Sequence, residues 1–464
     1  MVFPTVQFAL YLPIVLTISW LLMPHPRFWK PFMLVASYVF YGAAGAKFCI
    51  ILGAMTLGNQ FFATQIGRAN TEVRRKRLVR VAVTLDLAVL GVFKYYGFFA
   101  TEINNALDNL GLGLSAPLAA IAIPLGVSFF TFQAISYTVD VYRRVIEPAK
   151  LIDVALYLSF FPHVVAGPIV RAREFLPQLT EPRRPENIPV GAATGLIILG
   201  LIKKVVIADY LARTICDPVF AVPQAYHTPD IVLACWAYGA QIFCDFSGYT
   251  DIAIGVALLF GFVFPQNFHR PYAAQSIAQY WRDWHMTLSR FFRDFVYIPL
   301  GGNRGGTVKH YRNLWLTMTV AGLWHGAAFT YVVWGMMHGT GLVIERGTAK
   351  LFPRTPAVLK WFFAFNFISA GWILFRGQTF GLAGDMFKQV VDWGPATMWT
   401  VPVVAMTAIV VGLQLIPERW IEAFRLRFES MTAAPLGVAL AAAVILVVAT
   451  VPSAGVPPFI YFQF

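Results

Sequence analysis

Charge is scarce in this chain. Only 13% of its 464 residues are Asp, Glu, Lys or Arg, against about 25% in a soluble globular domain. With 58% hydrophobic residues and a mean hydropathy of +0.63, that shortage excludes a water-soluble fold and indicates a polytopic membrane protein. Cysteine is scarce too. The four present, Cys49, Cys216, Cys235 and Cys244, show neither CxxC nor any other metal-ligand spacing. No disulfide framework and no metal site follows from them. Internal repeats and low-complexity segments are lacking, which leaves an inverted-repeat transporter unsupported. The first apolar run has no basic stretch before it and no small-residue cleavage site, so it is expected to stay as a span.

Aromatics and basic residues are plentiful. Phe (41), Trp (13) and Tyr (18) suit rings that pack helices or sit at membrane interfaces. The formal net charge of +13 reads as Lys- and Arg-rich cytoplasmic loops that also attract anionic lipids, not as a nucleic-acid surface.

Apolar runs of membrane-crossing length lie at about 5–23, 31–46, 48–66, 81–100, 117–140, 189–208, 230–262, 313–325, 327–345, 357–375, 400–416 and 434–452. They predict about 11–12 transmembrane helices. The run 230–262 is long enough to bend, and 313–325 with 327–345 reads as two short helices meeting within the membrane. Residues 68–80 carry Arg68, Arg74, Arg75, Lys76, Arg77 and Arg80, whereas 101–115 and 212–229 are nearly free of Lys and Arg. This asymmetry places the basic segments inside and the N-terminus outside. Between basic flanks, residues 152–170 contain Pro162, Gly167 and Pro168 and read as a re-entrant segment, which needs protein or water around its broken backbone.

Polar residues inside apolar runs are functional candidates because they are expensive in lipid. One run holds Asp245, Tyr249 and Asp251. Its carboxylates need partners, for which Arg282, Arg290 and the histidines are candidates. Residues 278–295 predict an amphipathic helix on the cytoplasmic membrane surface. Trp281, Trp284, Leu288 and Phe291 fall on its apolar side, Arg282, Arg290 and Arg293 fall on its polar side, and His285 lies at the edge, pointing partly inward. The loop GGNRGG (301–306) is flexible and, without P-loop spacing, is a weak phosphate signal. His325 lies in VAGLWHGAAF, where small residues leave room around an imidazole that can act as a general base near neutral pH. His338 falls about 220° from His325 on a continuous helix and reads as structural. His25, His227 and His310 are expected in loops.

Several stretches together resemble the membrane-bound O-acyltransferase family in its bacterial, exopolysaccharide-acetylating branch. They are PLGVSFFTFQAISYTVDVYR (124–143), FFPHVVAGPIVR (160–171), YGAQIFCDFSGYTDIAIG (238–255), NFHRPYAAQSIAQYWRDWHMTLSRFFRDFVYIPLGGNRGG (267–306) and YRNLWLTMTVAGLWHGAAFTYVVWGMMHG (311–339). The resemblance covers most of residues 1–345; the part after about 376 matches poorly. It implies an all-α polytopic bundle with re-entrant segments and a central tunnel. It implies one integral-membrane domain across 1–464, with a family-like core in 1–345 and C-terminal transmembrane helices in 346–464. By the same resemblance His325 matches the catalytic histidine and His285 the second signature position. Asp245, Tyr249, Asp251, Trp324 and Trp284 are supporting or tunnel candidates, and Arg282, Arg290, Asn303 and Arg304 are candidates for binding the donor. The implied donor is acetyl-CoA or an acyl-carrier thioester, with no metal. The implied acceptor is a polysaccharide such as alginate or cellulose, or a periplasmic acyltransferase partner. The implied location is the bacterial inner membrane. A solute or ion transporter and a non-catalytic export scaffold are the rival classes.

Overall fold

The computed structural model describes residues 1, 3, 5–111, 121–351, 353–450 and 459. Among them the regular structure is entirely helical. The start of the expected span 117–140 and the end of 434–452 lie partly outside the described residues.

The chain divides into two compact units, 1–193 with 253–265, and 194–252 with 266–464. The first contains α1 (Val6–Leu22), α2 (Pro26–Gly42), α3 (Ala46–Arg68), α4 (Glu72–Asn109), α5 (Val127–Tyr142) and α6 (Leu151–Ser159). Thr5 and Thr71 cap α1 and α4 by accepting from the backbone N–H groups of Phe8 and Arg74, as short hydroxyl side chains do at helix starts. Because α4 begins at Glu72 and runs for 38 residues, it absorbs most of the basic stretch 68–80 and much of 101–115, both expected as loops. After α6 the chain turns through buried residues 160–170 without forming a crossing helix, as the prolines and glycine there predict.

In chain order follow α7 (Val190–Ala221) and α8 (Thr228–Leu259). α7 widens into π-helical turns at Ile202–Ala208 and Ala212–Cys216, a local geometry common at functional sites. The second unit also holds α9 (Ile277–Asp283), α10 (Met286–Phe292), α11 (Thr307–His325), α12 (Phe329–Thr348), α13 (Ala357–Gly377), α14 (Phe380–Gln389), α15 (Val401–Leu415), α16 (Glu418–Glu429) and α17 (Ala433–Thr450). The break between α11 and α12 falls where two short helices were expected to meet.

By length and composition, five described helices can cross a membrane: α3, α7, α8, α13 and α17. A sixth counts if α15 and α16, bent by 100°, form one span. Helix α17 leaves Val438, Ile445 and Val448 about 70% exposed, an outward apolar surface suited to lipid rather than water.

Candidate active site

The histidines of the WHMTLS and GLWHGA motifs are both buried in the second unit, His285 at 0% and His325 at 3% exposure. The single amphipathic helix expected over 278–295 is broken. α9 stops at Asp283, α10 starts at Met286, and His285 between them adopts the left-handed conformation (φ 42°, ψ 54°). Non-glycine residues rarely hold such a backbone unless their surroundings enforce it. The break turns His285 wholly inward, whereas the helical wheel leaves it on an edge.

The enforcing surroundings come from residues 267–269. The Asn267 carbonyl accepts from Met286 N–H (2.9 Å), and its side-chain Oδ1 accepts from the backbone N–H (3.2 Å) and hydroxyl (2.9 Å) of Thr287. The ring of Phe268 lies 5.0 Å from Trp284 and 6.5 Å from His285. His269 N–H donates to the Asp283 carbonyl. No periodicity in the sequence announces this three-residue clip.

His325 ends α11, where Gly326 turns extended. A Cβ on Gly326 would come 2.1 Å from the Tyr331 ring, one on Gly322 would come 2.2 Å from the Tyr331 carbonyl oxygen, and one on Gly335 would come 2.4 Å from that of Met318. Absent side chains therefore let α11 and α12 touch backbone to backbone and fix where His325 stands. Trp324 neighbours both imidazoles, with centroids 6.2 Å from His285 and 5.0 Å from His325. Trp334 (5.1 Å) and Phe375 (5.2 Å) also pack on His325. His338, read as pointing away, packs 4.7 Å from the same Trp334 and accepts from Trp281 Nε1 through Nδ1. The break at Gly326 separates His325 and His338 onto two helices, so the 220° offset of one continuous helix does not apply.

The carboxylates among the α8 candidates have partners on α7. Asp245 pairs with Lys204, which also pairs with Asp209 (2.8 Å), and Asp251 pairs with Lys203 (2.7 Å). Two lysines of α7 thus meet the carboxylates, partners that the sequence reading did not name. Helices α7 and α8 cross at Gly200 and Gly248, where a Cβ on Gly200 would lie 2.5 Å from the Gly248 carbonyl oxygen. Tyr249 stacks on Phe459, and Phe246 meets His285. Trp284 stacks on Tyr280 and packs against Trp372.

Of the donor-binding candidates, Arg282 is exposed on α9 and Arg290 half-buried on α10. Asn303 and Arg304 are exposed in the glycine loop, which is anchored by Asn313 Nδ2 donating to the Gly302 carbonyl. Asn303 also lines an open cleft of about 440 Å³ with Gly306, Thr307, His310, Tyr311 and Arg346. His310, expected in a loop, sits in the first turns of α11, before its apolar part. It accepts from Arg346 through Nε2 (2.7 Å), and its Nδ1 faces the Tyr297 hydroxyl (2.9 Å). Burial first, and the Arg346 charge second, lower its pKa. Among the described residues no three His, Cys, Asp or Glu side chains gather closely enough to hold a metal ion.

The helical fold and the motif sequences agree with the comparisons. The membrane-bound O-acyltransferase family model matches residues 34–376, and the chain belongs to that family; it is a multi-pass membrane acyltransferase. It is similar to the probable alginate O-acetylase AlgI of Pseudomonas aeruginosa, 39% identical over 90% of this chain and 80% of that protein. It is also similar to the peptidoglycan O-acetyltransferase of Helicobacter pylori, 35% identical over 79% of this chain and 74% of that protein. The teichoic acid D-alanyltransferase of Streptococcus thermophilus is 29% identical over 54% of this chain and 68% of its own length.

Proposed function

We propose that this protein takes an acetyl group from acetyl-CoA on the cytoplasmic face of the bacterial inner membrane and passes it outward to hydroxyls of an extracytoplasmic polysaccharide, alginate first among them. The observation that carries the reading is the burial of two imidazoles around one shared tryptophan, Trp324. The alginate O-acetylase name of a relative matching 90% of the chain supports the acceptor.

In this reading His325 takes the proton of the acceptor hydroxyl as its oxygen attacks the thioester carbonyl carbon. The C–S bond then breaks, and the imidazolium returns the proton to the leaving thiolate. His285 donates a hydrogen bond to the carbonyl oxygen as negative charge develops there. The packed rings around the pair exclude water, which would otherwise hydrolyse the thioester. Asn303 and Arg346 at the open cleft, with Arg304 next to Asn303 in the chain, receive the phosphates of the donor. The acceptor is the polymer itself or a periplasmic acyltransferase that relays the group to it.

Membranes carrying the protein, supplied with radiolabelled acetyl-CoA and alginate, test the reading. Label on the polymer that disappears with His325→Ala or His285→Ala, at equal protein level, is the expected result. Label that depends on an added acyl-carrier thioester instead would transfer the donor assignment to a carrier protein.

A further inference from the structure

His285 occupies the N-cap position of α10, and its side chain makes no cap hydrogen bond. The first N–H groups of a helix have no partner within it and need one from outside. Here Asn267, 18 residues back along the chain and 1% exposed, takes over both of the first two. Its main-chain oxygen accepts from Met286, and its Oδ1 accepts from Thr287. The same Oδ1 also accepts from the Thr287 hydroxyl. At an ordinary N-cap the capping residue's own side chain bends back onto the helix. Here that task lies with Asn267, so the His285 imidazole can extend away from the helix start toward Trp324 and Phe246.

The left-handed backbone at His285 supplies a second, independent argument. The clip holds the break on both sides, through Asn267 after His285 and through His269 N–H on the Asp283 carbonyl before it. Phe268, between them in sequence, packs against Trp284 and His285. Without the clip, residues 283–286 would relax toward a continuous helix, in which the imidazole returns to the edge position that the helical wheel assigns.

We propose that Asn267 is a positioning residue for His285: its backbone and side-chain oxygens cap α10 from outside and thereby aim the imidazole at the site. This rests on the reading of His285 given above.

The test compares Asn267→Ala, Asn267→Asp and Thr287→Val with wild type in the radiolabelled acetyl-CoA assay, with kcat and KM determined separately. Asn267→Ala is expected to lower kcat about tenfold or more with KM for acetyl-CoA unchanged, as for a group needed mainly in the transition state. Asn267→Asp keeps an oxygen at the Oδ1 position and is expected to restore most of the rate. Thr287→Val removes one hydroxyl bond while leaving the backbone cap, is the variant to use should Asn267→Ala fail to insert, and is expected to lower kcat severalfold. Wild-type kcat in Asn267→Ala, or in Thr287→Val where the alanine variant does not insert, overturns the proposal, as does a loss confined to KM. If His285→Ala is inactive while Asn267→Ala is fully active, the positioning role alone falls. If His285→Ala is itself fully active, the role of His285 falls, and the positioning role with it.

Discussion

The Phe246 ring stands edge-on to the His285 imidazole, with centroids 4.7 Å apart and planes at 83°. Helix α8 thus reaches the candidate site through an aromatic side chain. Removing the ring in Phe246→Ala leaves a cavity beside His285 and costs about 3–5 kcal/mol, while Phe246→Leu keeps most of the volume. The alanine variant is expected to lose at least about tenfold in acetyl transfer, and the leucine variant to retain most of it. Parallel rate measurements on the two variants check this.

Lys204 is buried with Asp209 and Asp245 on the crossing of α7 and α8. Breaking a buried pair strands a charge in a medium that cannot solvate it, at a cost of about 3–5 kcal/mol. Lys204→Met is therefore expected to lower the melting temperature of the detergent-solubilised protein sharply. Asp209→Asn leaves the Lys204–Asp245 pair intact and is expected to lower it less.

Sequence made the class and both histidines legible, because a membrane chain cannot hide its apolar runs and because WHMTLS and GLWHGA stand out against them. The break at His285 was not legible. Apolar and polar residues around it keep helical spacing, and the bonds that override that spacing come from Asn267, outside the window. The partners of Asp245 and Asp251 were missed for a related reason. Lys203 and Lys204 lie inside an apolar run, in a π-helical stretch of α7 that no sequence pattern announces. His338 reads as structural in the sequence, and its position relative to His325 does not follow from helical spacing because Gly326 divides two helices.

Protonation of His310 would place an imidazolium 2.7 Å from the Arg346 guanidinium. Its pKa lies below the ordinary histidine value, so the neutral form is favoured by folding. The contact is then intact above about pH 6.5, the unfolded value, and is lost as pH falls through the lower folded value. Melting temperature is expected to fall on acidification by more in wild type than in His310→Gln, measured across the same pH series.

Asp230 accepts from the backbone N–H groups of Thr397 and Met398 and from the Thr397 hydroxyl, pinning residues 397–398 to the start of α8. Asp230→Ala removes the acceptor of these hydrogen bonds, each worth about 1 kcal/mol. Faster proteolytic cleavage within 391–400, with helices elsewhere still protected, is the expected outcome of limited digestion.

The assignment of His325 as the base is tested most directly by one measurement: the rate at which radiolabelled acetyl passes from acetyl-CoA to alginate in membranes containing His325→Ala at wild-type protein level. The account predicts loss of at least about a thousandfold, leaving transfer near background, since both proton removal and the alignment around it are lost. Transfer at the wild-type rate would contradict it.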